Sequence, residues 1–161
     1  MEICTIGFTK HAAATFFGTL KDEGIKQLVD VRLANTSHLA GFAKRDDLRF
    51  FLKEICDVEY FHEPDLLAPT EELRTAFGKG DRKGDISWDE YEVRFRELMA
   101  ERRIEERLSR DFFKPRTVLL CSEHLPDYCH RRLVLEYLSE YWPDLTALHL
   151  PREQRSETAN A

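Results

Sequence analysis

Short apolar runs alternate with amphipathic stretches along most of the chain. Glu2-Ile3-Cys4-Thr5-Ile6 reads as a strand ended by Gly7, where a close backbone approach or a positive φ is easy. A helix follows, with Thr9 as candidate cap, Phe16, Phe17 and Leu20 on its buried face, and Gly24 as its stop. Gln27 to Arg32 is a second strand, apolar until it ends on Asp30 and Arg32. A polar loop from Leu33 to Arg45 leads to a helix opened by Asp46 or Asp47, with Leu48, Phe51, Leu52 and Ile55 on one face. Val58 to Phe61 reads as a third strand, with His62-Glu63-Pro64 just beyond its end.

From Asp65 to Arg116 the regular alternation lapses. Pro69 and Thr70 start a short helix stopped at Gly78, and Lys79 to Asp85 reads as a solvated hinge. Ser87 and Glu90 form a capping box for a long helix with Trp88, Tyr91, Phe95, Leu98 and Met99 as its stripe, ending near Arg107. Thr117-Val118-Leu119-Leu120-Cys121 then has the pattern of a strand buried on both faces. A polar loop and a helix follow, with Asp127 as candidate cap and Leu133, Val134, Tyr137, Leu138 and Tyr141 directed inward. That stripe, run backwards, puts His130 and Cys129 on the sheet-facing side of the first turn. Thr146 to Leu150 is a fifth strand.

Strands alternating with helices predict a three-layer α/β sandwich: a central, mostly parallel sheet of about five strands covered on both faces. Residues 1–150 form the single domain, with a helical insertion at about 65–107, and 151–161 are a polar tail. A chain of 161 residues with 42% hydrophobic and 34% charged side chains can bury a core of ordinary size. The net charge of −6 argues against tight non-specific binding of duplex nucleic acid, which needs a broad basic face. With no apolar run long enough to span a bilayer and no leader-like start, the expected setting is cytoplasmic, away from membranes, with the four cysteines kept as thiols.

Ligands of such sheets bind beyond the carboxyl ends of the strands. The polar residues expected there are Gly7 with Thr9, Asp30 with Arg32, His62 with Glu63, and Cys121 with Glu123. Cys121, Glu123, Cys129, His130 and Arg131 are predicted to meet Asp30 and Arg32 in one cleft. Together with Thr5-Ile6-Gly7, Asp30-Val31-Arg32, the loop with Ser37 and Phe42, Tyr60 to Pro64 and Leu148-His149-Leu150, these motifs resemble the bacterial and archaeal domain-of-unknown-function family numbered 488. The similarity runs from Ile3 to Leu150 and is most specific in the cysteine-x-glutamate and cysteine-histidine-arginine pair. It implies a compact α/β fold and no settled activity. Members often carry His-Ser where this chain has Phe8-Thr9, and Leu-Gly-Gly where it has Leu66-Leu67-Ala68.

Three functions fit these residues. The first is an enzyme that holds a phosphate-bearing ligand, a nucleotide or nucleic acid, with Arg32, His130, Arg131, Gly7 and Thr9, and works through Glu123, Cys129 or Asp30. Arginines in the first turn of a helix oppose its macrodipole, so a bound anion accounts for them, and Arg131→Ala is then expected to weaken that ligand while leaving the melting temperature little changed. The second is a non-catalytic nucleotide or nucleic-acid binding module using the same cations. The third is a thiol- or metal-dependent protein centred on Cys121, Cys129 and His130. These are side chains zinc accepts, although their spacing is not that of a standard knuckle and no metal ligand is assigned. The residues name no cofactor and no oligomeric state.

Overall fold

The computed structural model describes residues 1–79 and 82–152. In chain order the elements are β1 (Glu2–Gly7), α1 (Ala13–Asp22), β2 (Gln27–Asp30), a 3-10 segment (His38–Ala43), α2 (Arg45–Phe51) continued by one π-type turn (Leu52–Cys56), and β3 (Glu59–His62). The excursion holds α3 (Pro64–Leu67), α4 (Glu71–Phe77), β4 (Gly78–Lys79), β5 (Arg82–Lys83), α5 (Trp88–Arg102) and α6 (Ile104–Arg107). β6 (Thr117–Cys121), α7 (His130–Tyr141) and β7 (Thr146–Leu150) complete the domain. Among these no helix is long and apolar enough to cross a membrane.

The main sheet has five strands in the order β3-β2-β6-β1-β7, and all its pairings are parallel, as the alternation of strands and helices predicts. β6 lies at its centre, and all five of its residues are buried. Side chains alternate between the two faces. Cys4, Ile6, Leu28, Val118 and Leu120 pack on one side with Phe16, Phe17 and Leu20 of α1 and with Leu48 and Leu52. Ile3, Val29, Val31, Leu119 and Cys121 pack on the other with Tyr91, Phe95 and Met99 of α5 and Leu133, Val134 and Tyr137 of α7. The pleat therefore directs Cys121 to the α5/α7 side.

Local chemistry accounts for the other boundaries. The hydroxyls of Thr70 and Ser87 accept from the amides of Leu73 and Glu90, the caps anticipated for α4 and α5. The long helix predicted to reach Arg107 breaks instead at Arg103, which is left-handed at φ 53 and separates α5 from α6. α1 starts at Ala13 with Ala12 as its cap, because Thr9 is engaged elsewhere, and α2 starts at Arg45 after Lys44. The expected hinge contains a short antiparallel pairing, Gly78 with Lys83 and Lys79 with Arg82; positions 80 and 81 of the hinge and most of the tail lie outside the described residues. Tyr141, expected on the inward stripe of α7, is 50% exposed.

Candidate functional site

The carboxyl end of β6 delivers Cys121 beneath the first turn of α7. That helix starts at His130 with Cys129 as its cap residue, and the Cys129 amide closes a turn on the Pro126 carbonyl. Asp127 does not cap it, and its carbonyl instead accepts from Arg132 at 3.2 Å. The Sγ atoms of Cys121 and Cys129 and a ring nitrogen of His130 lie within 4.8 Å of one another, all three residues being buried. His130 Nε2 donates to the Val31 carbonyl at 2.5 Å, which leaves Nδ1 on the Cys121 side, 3.7 Å from Sγ. Among the described residues this trio is the set that could hold a metal.

Hydrogen bonding from Cys129 and the nearby charge of His130 hold the Cys121 thiol well below its ordinary range, although burial opposes them. Burial and the adjacent Cys121 push the Cys129 thiol well up. Burial opposes the charging of His130, but the charge and hydrogen bond of Cys121 overcome it and raise the imidazole. One anion shared by the pair thus rests on Cys121. Helix polarity alone favours Cys129, but Cys129 is 2% exposed and its thiol is turned towards Cys121.

Arg131 is fully buried. Its guanidinium donates to the carbonyls of Glu123 and of His124 (3.2 Å), to Thr5 Oγ1 (3.3 Å) and towards Cys129 Sγ (3.8 Å). It therefore braces the loop between β6 and α7 from behind and faces no open space. This setting weighs against the expectation of a ligand-binding arginine whose removal spares the fold: the loop's own carbonyls supply the negative partial charge that the helix end calls for. Arg132, also in that turn, pairs with Glu136 and with Glu92 of α5.

Asp30 is equally enclosed. It takes both Nε and Nη2 of Arg32 at 2.8 Å, the Arg32 amide at 3.1 Å and the Tyr60 hydroxyl at 2.6 Å. Asn35 donates to Asp30 at 3.2 Å, and His62 donates from Nε2 to the Arg32 carbonyl at 2.7 Å. Burial would raise the Asp30 carboxyl, but its bonds from Arg32 and Tyr60 outweigh that and hold it below the carboxylate range. With these five donors Asp30 has no lone pair left for a proton shuttle. Arg32 also donates to the Ala43 carbonyl at 2.7 Å, tying the 33–45 loop down, and lies over the Phe8 ring at 5.2 Å.

Gly7 and Thr9 stand behind the loop. Thr9 donates from its hydroxyl to the Ser122 carbonyl at 2.7 Å, and the amides of Phe8 and Thr9 donate to the carbonyls of Cys121 and Ser122. A Cβ on Gly7 would lie 1.6 Å from the Glu123 carbonyl oxygen and 2.8 Å from Arg131 Nη1, so Gly7 is a close-approach glycine. Gly7→Ala is expected to cost about 1–3 kcal/mol through overpacking, read as a shift of the urea midpoint at constant slope.

In front of the loop lies a cleft of about 330 Å³. Of the residues predicted to meet there, Arg32, Cys121, Glu123, Cys129 and His130 line it, whereas Asp30 and Arg131 do not; Gly7 and Thr9, expected as ligand-binding residues, are not in the lining either. The opposite wall, Arg74, Phe77, Trp88, Tyr91 and Tyr128, comes from the helical excursion and from the residue preceding Cys129. Sequence reasoning placed Trp88 and Tyr91 in a core stripe; their spacing of three was the only signal available. The family described as Domain of unknown function DUF488 matches residues 12–138. No curated protein and no protein of solved structure matches the chain.

Proposed function

Since the chain belongs to the DUF488 family, which brings a fold and no assigned activity, we propose from its own geometry that the cleft is a thiol reaction centre. Cys121 is its nucleophile and His130 its acid–base partner. The observation that carries this reading is the placement of Cys121 Sγ on the cleft wall, 3.7 Å from an imidazole whose far nitrogen is fixed on the Val31 carbonyl. That is the order of nucleophile, base and orienting group by which cysteine is activated. Cys129 donates its S–H to the thiolate, and the buried Arg131 supplies positive charge beside it. In an attack on an electrophilic centre, Sγ forms the new bond and the leaving group takes a proton from His130.

The phosphate-ligand reading has less support. Arg131 is enclosed and Arg32 is neutralised by Asp30, which leaves Arg74 as the cleft cation without an ion pair among the described residues. A metal centre is favoured by one specific observation: a ligating histidine commonly donates its second nitrogen to a carbonyl, as His130 does to Val31. Two cysteines, one histidine and a position open to the cleft are also a donor set that catalytic zinc uses.

Alkylation with iodoacetamide at pH 7, followed residue by residue by mass spectrometry, separates these readings. Cys121 is expected to react at least tenfold faster than Cys4, whose thiol burial pushes up to about 11, and faster than Cys56, which burial also raises. Because its folded value is depressed, the Cys121 rate should be nearly flat from pH 8 to 9 and fall as the pH drops through that value. Cys129→Ala should slow Cys121. A Cys121 as slow as Cys4 would refute the reading, and stoichiometric zinc that blocks alkylation until chelated would assign the thiols to metal.

A further inference from the structure

The wall facing Cys121 has no part in the thiol chemistry, and it is aromatic. Trp88 stacks on Tyr91 with ring centroids 5.0 Å apart and planes at 20°, and Tyr91 stacks on Phe95 at 6.0 Å and 11°. Phe95 meets the His130 ring edge-on at 5.4 Å, so a continuous column of rings runs from the cleft mouth to the thiol centre. Tyr128 stands against Trp88 at 5.6 Å and 88°, which makes a right-angled corner of two rings. Tyr91 and Phe95 are buried and belong to the core. Tyr128 does not: it is 67% exposed, held beside Trp88 by the loop that carries Cys129. A large ring left in solvent at the rim of a cleft is what a ligand surface looks like.

We propose that this corner binds the planar aromatic ring of a small anionic ligand, with the anion on Arg74. Nucleoside monophosphates and aromatic carboxylates share that chemistry. A planar ring laid flat on one member of a perpendicular pair meets the other by its edge, so both favourable ring geometries are satisfied at once. The sign of charge follows from the wall. Aromatic corners also hold quaternary ammonium groups, but Arg74, which has no ion pair among the described residues, lines this cleft, with Glu123 as the one cleft carboxylate set against it. A volume of about 330 Å³ lies at the small end of ligand pockets and suits one small molecule. The proposal rests on the cleft being a ligand site and uses Cys121 only as the neighbour that the bound ligand would face.

Isothermal titration calorimetry on the full chain tests it with AMP, indole-3-carboxylate, ribose phosphate and tetramethylammonium. Saturable binding is expected for AMP or indole-3-carboxylate, at least tenfold tighter than for ribose phosphate. It should weaken about tenfold in Tyr128→Ala, the loss of one stacked ring, and also in Trp88→Leu and Arg74→Gln. Should Trp88→Leu fail to fold, Tyr128→Ala still decides. Ribose phosphate binding as tightly as AMP, tetramethylammonium as the preferred ligand, or no saturable heat from any probe would overturn the proposal. Ring binding retained in Cys121→Ser without selective alkylation of Cys121 in the wild type would retire the thiol reading alone. Selective alkylation without ring binding would retire this proposal alone.

Discussion

Arg131→Ala should lower the free energy of unfolding by about 3–5 kcal/mol, the range for truncating a large buried side chain to alanine. The side chain is fully buried, and its truncation strips donors from the Glu123 and His124 carbonyls and from the Thr5 hydroxyl together. Each acceptor left dry adds a desolvation cost, and the emptied volume adds a cavity. Arg131→Lys keeps the charge but offers one ammonium where a planar fork spans two carbonyls and a hydroxyl, so it should recover only part of the loss. Urea denaturation of both variants, with slopes compared, is the measurement. An unchanged midpoint for Arg131→Ala would mean that the loop between β6 and α7 holds its shape without the brace.

Asp30→Asn should cost a similar amount, about 3–5 kcal/mol, because it leaves the Arg32 guanidinium buried without its counter-charge. Asp30 is held below its ordinary value in the folded protein. Its contribution is therefore fully present above the unfolded carboxylate range and is lost as pH falls through the depressed folded value. The stability of the wild type should decline in that acid window, and the same stretch of the Asp30→Asn curve should be flatter. Parallel acid limbs for the two proteins would show that other carboxylates carry the acid response. Asp30→Asn acts from behind the cleft, so its effect belongs to stability first and to chemistry only through it, whereas Arg131→Ala also removes the positive charge beside the thiol pair.

The parts of the molecule legible in the sequence are those decided by local periodicity. β6 and β7 match their apolar runs residue for residue, and β1 reaches only to the glycine that was read as its stop. The position of His130 and Cys129 over the end of β6 follows from running the α7 stripe backwards by a turn, and the structure places them there. Asp30 and Arg32 were both expected in the cleft. They pair, and only Arg32 reaches the cleft wall. The burial of Arg131 was not legible because its partners are carbonyl oxygens of a loop seven and eight residues upstream, and carbonyls leave no mark in a sequence. The ring wall escaped for a related reason: Trp88 and Tyr91 look equally apolar whether they face the core or a cleft, and Tyr128 meets Trp88 only through tertiary packing.

The central place of β6 bears on how the protein comes to exist. In the main sheet β1 pairs only with β6 and β7, so its Gly7 faces Cys121 across more than a hundred residues of chain. While the ribosome is still making the helical excursion, β2 and β3 can already lie side by side, but the strands that β1 pairs with, β6 and β7, are still to be made. The strand that joins the two halves is also the strand that carries the thiol. Sheet closure and assembly of the cleft are therefore one late event, and the long-range pairing it requires is of the slow kind. A nascent chain stalled before Thr117 would expose an unpaired, apolar first strand, a natural target for holding chaperones. Formation of the cleft in this fold thus reports on completion of the sheet itself.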